Sequence, residues 1–186
     1  FDVWANQPAL RDLEQFILTD LGVHLLDTAR ACFGEAQSLY CQLHKTLAPG
    51  VKGDNVATLL LSMGEAKTSV VVELGYAKTP LEREIFPQTL AFVEGPLGSI
   101  EVTGDYWMRI TTKKGTHSRR HAPPRHAWAD PRYDISQSSM VPCHRDLLAA
   151  LRGEAPGETT GADNLKTLEL VFGAYDSVKK DAVVRF

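Results

Sequence analysis

Cysteine is scarce: Cys32, Cys41 and Cys143 are the only three in 186 residues, odd in number, far apart and without a C-x-x-C pair. That excludes a disulfide framework and a zinc ribbon, and it agrees with a reducing, cytoplasmic setting. Long apolar runs are missing as well. No stretch approaches the roughly 20 residues that cross a bilayer, and the start lacks the basic-then-apolar pattern of a signal peptide. Nor is there a surplus of positive charge. Lys and Arg number 20 against 23 Asp and Glu, a formal net charge of −3. General nucleic-acid binding needs cations to displace counterions, so membrane and nucleic acid both drop out as expected partners.

What is present is ordinary for a globular domain: 44% hydrophobic and 23% charged residues, enough chain for one sizeable core. Residues 1–186 are expected to form a single domain. The chain opens at Phe1, and "FDVWANQPALRDLEQF" is already amphipathic. This reads as a piece of a longer protein, with residues 1–19 as an entry segment.

Helix signals flank a central β region. A helix is expected over 20–33, capped by Thr19 or Asp20 and closed by Gly34. Strand-like runs follow at 35–44, 56–63, 69–76, 89–94, 99–102 and 106–112, with turns at Gly64-Glu65, "GPLG" and Lys114-Gly115. In "SVVVELGY", Val70, Val72, Leu74 and Tyr76 share one face, while Ser69, Glu73 and Gly75 share the other. Residues 121–134 form a proline-punctuated loop. Helices are expected at 142–152, closed by Gly153, and at 162–180, where Leu165, Leu168, Val171, Phe172 and Tyr175 recur at helical spacing. Val183-Val184 would add an edge strand. The fold class is α+β: a largely antiparallel open sheet with helices packed on one face.

The chemistry concentrates in "LTDLGVHLLDTARACFGE". At 100° per residue, Asp20, His24 and Asp27 lie within an arc of roughly 60°. Neighbours one turn apart are about 5–6 Å apart at Cβ, so the imidazole is expected between the two acids. A carboxylate beside an imidazole raises its pKa and selects one tautomer, which suits a general base. The same edge also fits the solvated face of any amphipathic helix, or an O/N ligand set for one metal ion, although the other histidines form no second motif.

The run "TDLGVHLLDTARACFGE" resembles the D-x-G-x-H-x-x-D motif that opens the C-terminal domain of the glucose–fructose oxidoreductase / inositol dehydrogenase / MocA family. "VEGPLGSIEV" is similar to the family's mid-sheet hairpin, and "GADNLKTLELVFGAYDSVKKDAVVRF" to its terminal helix and last strand. The resemblance implies a dihydrodipicolinate reductase-like C-terminal domain. It implies an NAD(P)-dependent oxidoreductase acting on a sugar, cyclitol or related polyol. NAD or NADP would be bound mainly by an N-terminal Rossmann domain carrying G-x-G-x-x-G and a Glu-Lys-Pro lysine. Neither motif occurs here, so the fragment alone is expected to be inactive. Carried over by motif, Asp20 and His24 are catalytic; Asp27 is read as structural, bonding a neighbouring loop or capping group, rather than catalytic; no metal is expected. A homo-oligomer, dimer or tetramer, is expected through the open sheet face. "EQFILTD" departs from the family in having no glycine before the motif Asp, which alters the pocket.

Other stretches have plainer readings. Lys113, Lys114, His117, Arg119, Arg120 and His121 read as a charged hairpin rather than an anion patch. Trp128, Arg132 and Tyr133 are substrate-wall candidates in the proline-rich loop. Cys143 and His144 point about 100° apart on a helix and form no dyad. The rival reading of the whole chain is a non-catalytic sheet module that self-associates or binds a ligand.

Overall fold

The structure, a computed structural model, describes residues 7–46, 50–76 and 91–186. Two compact units emerge, residues 1–79 with 159–186 and residues 80–158. The expected α+β class with antiparallel strands holds, but the strands divide between two four-stranded sheets.

In the first unit a 3-10 turn, Pro8–Asp12, precedes a π-turn, Leu18–Gly22, which runs directly into α1, Val23–Phe33. Strands β1 (Ala36–His44), β2 (Val56–Met63) and β3 (Thr68–Gly75) follow as an antiparallel meander. The expected alternation is realised. Leu39, Cys41, Ala57, Leu59, Leu61, Met63, Val72 and Leu74 are buried on one face, under Ile17, Leu18, Leu26 and Ala29 of the helical entry. This burial is the main source of the unit's stability, at roughly 1.5–3 kcal/mol per large aliphatic side chain.

Gly34 closes α1 at φ +84° with its N–H on the Arg30 carbonyl at 2.9 Å, as expected. The start of the helix differs from expectation. Helical turns begin before Asp20, so neither Thr19 nor Asp20 caps it; Thr19 Oγ1 instead donates back to the Phe16 carbonyl at 3.0 Å. The cap was misplaced because "FILTD" carries its apolar side into the core one turn early: Phe16, Ile17 and Leu18 are all buried.

The second unit is another meander: β4 (Ala91–Gly95), β5 (Gly98–Thr103), β6 (Trp107–Thr112) and β7 (Gly115–Arg120). Residues 89–90 of the expected strand 89–94 lie outside the described residues. Pro96-Leu97 makes the first turn, and a side chain at Gly98 (φ +149°) would place its Cβ 2.0 Å from the Thr111 carbonyl oxygen. The basic hairpin turns at Lys113-Lys114, one residue earlier than expected, because Gly115 is already paired with Thr112. Between β5 and β6, Asp105 and Tyr106 both take positive φ, held by the Arg120 guanidinium on Asp105 at 2.8 Å. After a 3-10 turn, Pro131–Tyr133, α2 spans Asp134–Leu151. It starts eight residues before the expected 142. Pro142 sits inside it, where a proline has no N–H to give the carbonyl one turn earlier. Serine-rich "ISQSS" hid this first half, since serine favours turns over helix interiors.

The chain returns to the first unit through α3, Gly161–Lys180, capped by Thr160 Oγ1 accepting from Asp163 N–H at 3.1 Å. The buried stripe of α3 is Thr167, Leu170, Val171, Ala174 and Ser177; Leu165 and Phe172 are exposed, contrary to expectation. Small and hydroxyl-bearing residues win the inward positions because they let α3 lie close on β1, where Ser177 Oγ accepts the Cys41 N–H at 3.1 Å and donates to the Ala182 carbonyl at 2.7 Å. β8, Val184–Arg185, then pairs with β1 as the edge strand. Among the described residues no helix is long and apolar enough to cross a membrane.

Candidate active site

The helical entry of the first unit carries the three motif residues, and the structure separates their partners. Asp20 lies in the π-turn, where backbone bonding stretches to i→i+5: the Val23 N–H reaches the Leu18 carbonyl. Such single-turn insertions recur at functional sites because they re-aim side chains out of α-register. The Asp20 carboxylate, half-buried, does not turn toward His24; its Oδ2 accepts the Tyr76 hydroxyl at 2.8 Å. Asp27 turns the other way, accepting from Thr167 Oγ1 of α3 at 2.8 Å and lying 3.5 Å from the Arg30 guanidinium.

His24 is exposed, and among the described residues its imidazole has no hydrogen-bond partner. The expectation of an imidazole held between two acids is therefore corrected. Periodicity places the three side chains on one edge; tertiary partners on β3 and α3 pull the two carboxylates apart. That also speaks against one ion shared by all three, and among the described residues no group of three His, Cys, Asp or Glu is placed to hold a metal ion.

Two groups support this edge that the sequence reading passed over. The first is Tyr76, at the end of β3. Its ring stacks on buried Phe16 at 5.5 Å, and burial, reinforced by the Asp20 carboxylate, pushes its hydroxyl well above the ordinary phenol range. A signal existed: Tyr76 is the last residue of the core face of "SVVVELGY", and a tyrosine pointing inward needs a partner for its O–H.

The second is Arg30, whose side chain is 6% exposed. Its guanidinium binds Glu35 through Nε and Nη2 at 2.9 and 3.0 Å, Asp163 at 2.9 Å and Thr167 Oγ1 at 2.7 Å. It thereby ties α1 to α3. Hydrogen bonding to Arg30 holds the Glu35 carboxyl down at about 2, against the opposing effect of burial. A buried arginine whose second carboxylate, Asp163, lies 133 residues away has no signature in local periodicity.

The remaining sequence candidates lie in the second unit. Trp128 is exposed and stacks on His126 at 5.1 Å. Arg132 binds Asp130 through Nε at 3.0 Å, fastening the 3-10 turn, and its guanidinium lies 5.8 Å over the Tyr133 ring. All three therefore take part in the local structure of their loop. Arg109 is paired with Glu101 directly across β5 and β6.

An antiparallel sheet covered on one face by two helices, the first bearing an exposed imidazole and a tyrosine-held carboxylate, defines an α+β domain with a candidate acid–base edge. A family model described as the GFO/IDH/MocA C-terminal domain matches residues 2–116. The chain belongs to that family. It is 40% identical over 184 residues to a D-apiose dehydrogenase of Paraburkholderia graminis and 36% identical to one of Rhizobium rhizogenes, covering 99% of this chain in both cases. The chain spans about half the length of these curated relatives, 48% and 52%. A crystal structure of an oxidoreductase from Agrobacterium radiobacter, in complex with NAD+, L-tartaric acid and magnesium, superposes with a TM-score of 0.91 at 34% identity. It covers 100% of this chain and 53% of that one.

Proposed function

We propose that this chain is the substrate-side and oligomerisation half of an NAD(P)-dependent oxidoreductase acting on the CH–OH group of a sugar or related polyol. The observation that carries the reading is the pairing, on the family-matched motif, of a fixed carboxylate (Asp20 on Tyr76) with an exposed, uncommitted imidazole four residues on. The relatives' names support a sugar as substrate. A nicotinamide nucleotide, bound mainly by a Rossmann domain outside this chain, supplies the hydride acceptor.

This chain's residues handle the proton and the orientation. His24 accepts the substrate hydroxyl proton in step with loss of the hydride from the same carbon, because a carbonyl forms readily only if the O–H proton is removed. Asp20 accepts a hydrogen bond from the substrate and fixes its orientation, assisted by the lysine of the cofactor domain. Asp27 serves structure through Thr167. Residues 1–19 are the entry segment from the cofactor domain, and a reducing, cytoplasmic compartment suits the free thiols. The experiment is an NAD(P)H absorbance assay with D-apiose and other polyols. The full-length protein is expected to turn over and the isolated 186 residues to be inactive; no turnover by the full-length protein with any polyol removes the reading.

The outer face of the first sheet supports self-association. Leu60 and Val71, directly paired across β2 and β3, are 51% and 62% exposed, with Tyr40 opposite Leu60 on β1. Apolar side chains at the centre of a sheet face, rimmed by Ser62, Ser69 and Thr58, suit a two-fold contact with a second copy. Leu60→Glu is expected to convert the oligomer to monomer in sedimentation velocity; an unchanged sedimentation coefficient rejects this interface.

A further inference from the structure

Tyr76, the residue that follows β3, is held more firmly than a strand terminus needs to be, and its side chain is aimed at the candidate site. Asn55, with 0% exposure, accepts the Tyr76 N–H on its backbone carbonyl at 2.8 Å and returns its Nδ2 to the Tyr76 carbonyl at 2.9 Å. The same amide is locked in turn, donating to Thr46 Oγ1 at 2.6 Å and accepting the Thr46 N–H at 2.9 Å. Both Nδ2 protons and the Oδ1 acceptor are thus in use, so the amide cannot rotate without loss.

On the far side the Tyr76 ring lies on Phe16, itself 1% exposed, at an interplanar angle of 17°. Backbone and ring are both fixed, and the hydroxyl ends 2.8 Å from Asp20 Oδ2. The other carboxylate oxygen, Oδ1, has no hydrogen-bond partner among the described residues. One oxygen is anchored from the sheet; the other is open.

We infer that Tyr76 is the positioning residue for the reaction, setting the plane of the Asp20 carboxylate so that Oδ1 meets a substrate hydroxyl, with Asn55 in turn positioning Tyr76. This rests on the reading of Asp20 as a catalytic residue. The χ2 torsion of an aspartate is broad, so the backbone alone does not fix the plane of the Asp20 carboxylate. The hydroxyl of Tyr76 supplies the restraint from a different element. Burial of the phenol keeps its proton on oxygen, so it donates throughout and takes no proton itself. Preorganisation of this kind spares the site a reorientation at the moment of reaction.

The test is a double-mutant cycle in the full-length protein: Tyr76→Phe, Asp20→Asn and both together, assayed for kcat and for KM toward sugar and nucleotide. Tyr76→Phe keeps the ring and its stack on Phe16, so the melting temperature should stay close to that of the parent. Its kcat should fall roughly tenfold or more with nucleotide KM unchanged. Asp20→Asn should lose more, and the double variant should be no slower than Asp20→Asn, because Tyr76 acts only through that carboxylate. Losses that multiply in the double variant overturn the inference, as does a Tyr76→Phe enzyme with parental kcat beside a crippled Asp20→Asn. Full activity in Asp20→Asn overturns instead the reading of the site on which the inference rests.

Discussion

His24→Ala in the full-length protein should lower kcat for polyol oxidation by roughly 10²–10⁴-fold, the usual contribution of a general base, while nucleotide binding stays intact. The imidazole is exposed and makes no hydrogen bond among the described residues, so its removal leaves no buried group unsatisfied and stability should hold. This separates chemistry from folding. Nucleotide titration by fluorescence, thermal melting and steady-state kinetics on the same preparation check all three. Parental kcat in His24→Ala takes the residue out of the mechanism.

Arg30→Met should produce the largest loss of stability, about 2–4 kcal/mol in urea denaturation. Breaking a buried ion pair from one side takes the arginine from Asp163 and Glu35, although Glu35 keeps the Lys166 ammonium at 3.0 Å. Glu35 and Asp163 are 55% and 38% exposed and regain water, which holds the loss below the cost of a fully enclosed pair. Arg30→Lys should recover only part of it, since an ammonium cannot reach Glu35, Asp163 and Thr167 from one planar fork.

The pH dependence follows the same bonds. Glu35 is held at about 2 in the folded chain against an ordinary 4.5. Its contribution is present above about 4.5 and is lost as pH falls toward 2, because protonation releases the guanidinium. The parent should therefore lose stability across that window, and Arg30→Met should show a flatter acid limb. Equal slopes in the two proteins, or a loss under 1 kcal/mol, would contradict the network's role.

Much of the first unit was legible residue by residue. Gly34 closes its helix because the chain there needs a positive φ, and glycine adopts it at no steric cost; in the second unit Gly153 does the same. The alternation of Val70, Val72 and Leu74 marks a core face because successive strand residues point to opposite sides. The Asp–x3–His–x2–Asp edge was legible as a pattern and misleading as a geometry. A helix wheel assumes 100° per residue, and the π-turn at Leu18–Gly22 breaks that assumption at Asp20. It also says nothing about Tyr76 and Thr167, which lie 56 and 140 residues from the carboxylates they bind. On α3, hydrophobicity pointed to Leu165 and Phe172, whereas the inward positions went to Thr167, bonded to Arg30 and Asp27 of α1, and to Ala174 and Ser177.

The sequence by itself determined the class of fold, the places where helices stop, the faces of the strands and the motif that ties the chain to its family, since all of these follow from neighbours within a few residues. Only the tertiary structure decided how the strands divide between two sheets, which carboxylate meets which partner, and that the imidazole has no partner among the described residues. Those outcomes depend on hydrogen bonds between groups far apart in the chain, and their energies belong to the folded arrangement rather than to any local pattern.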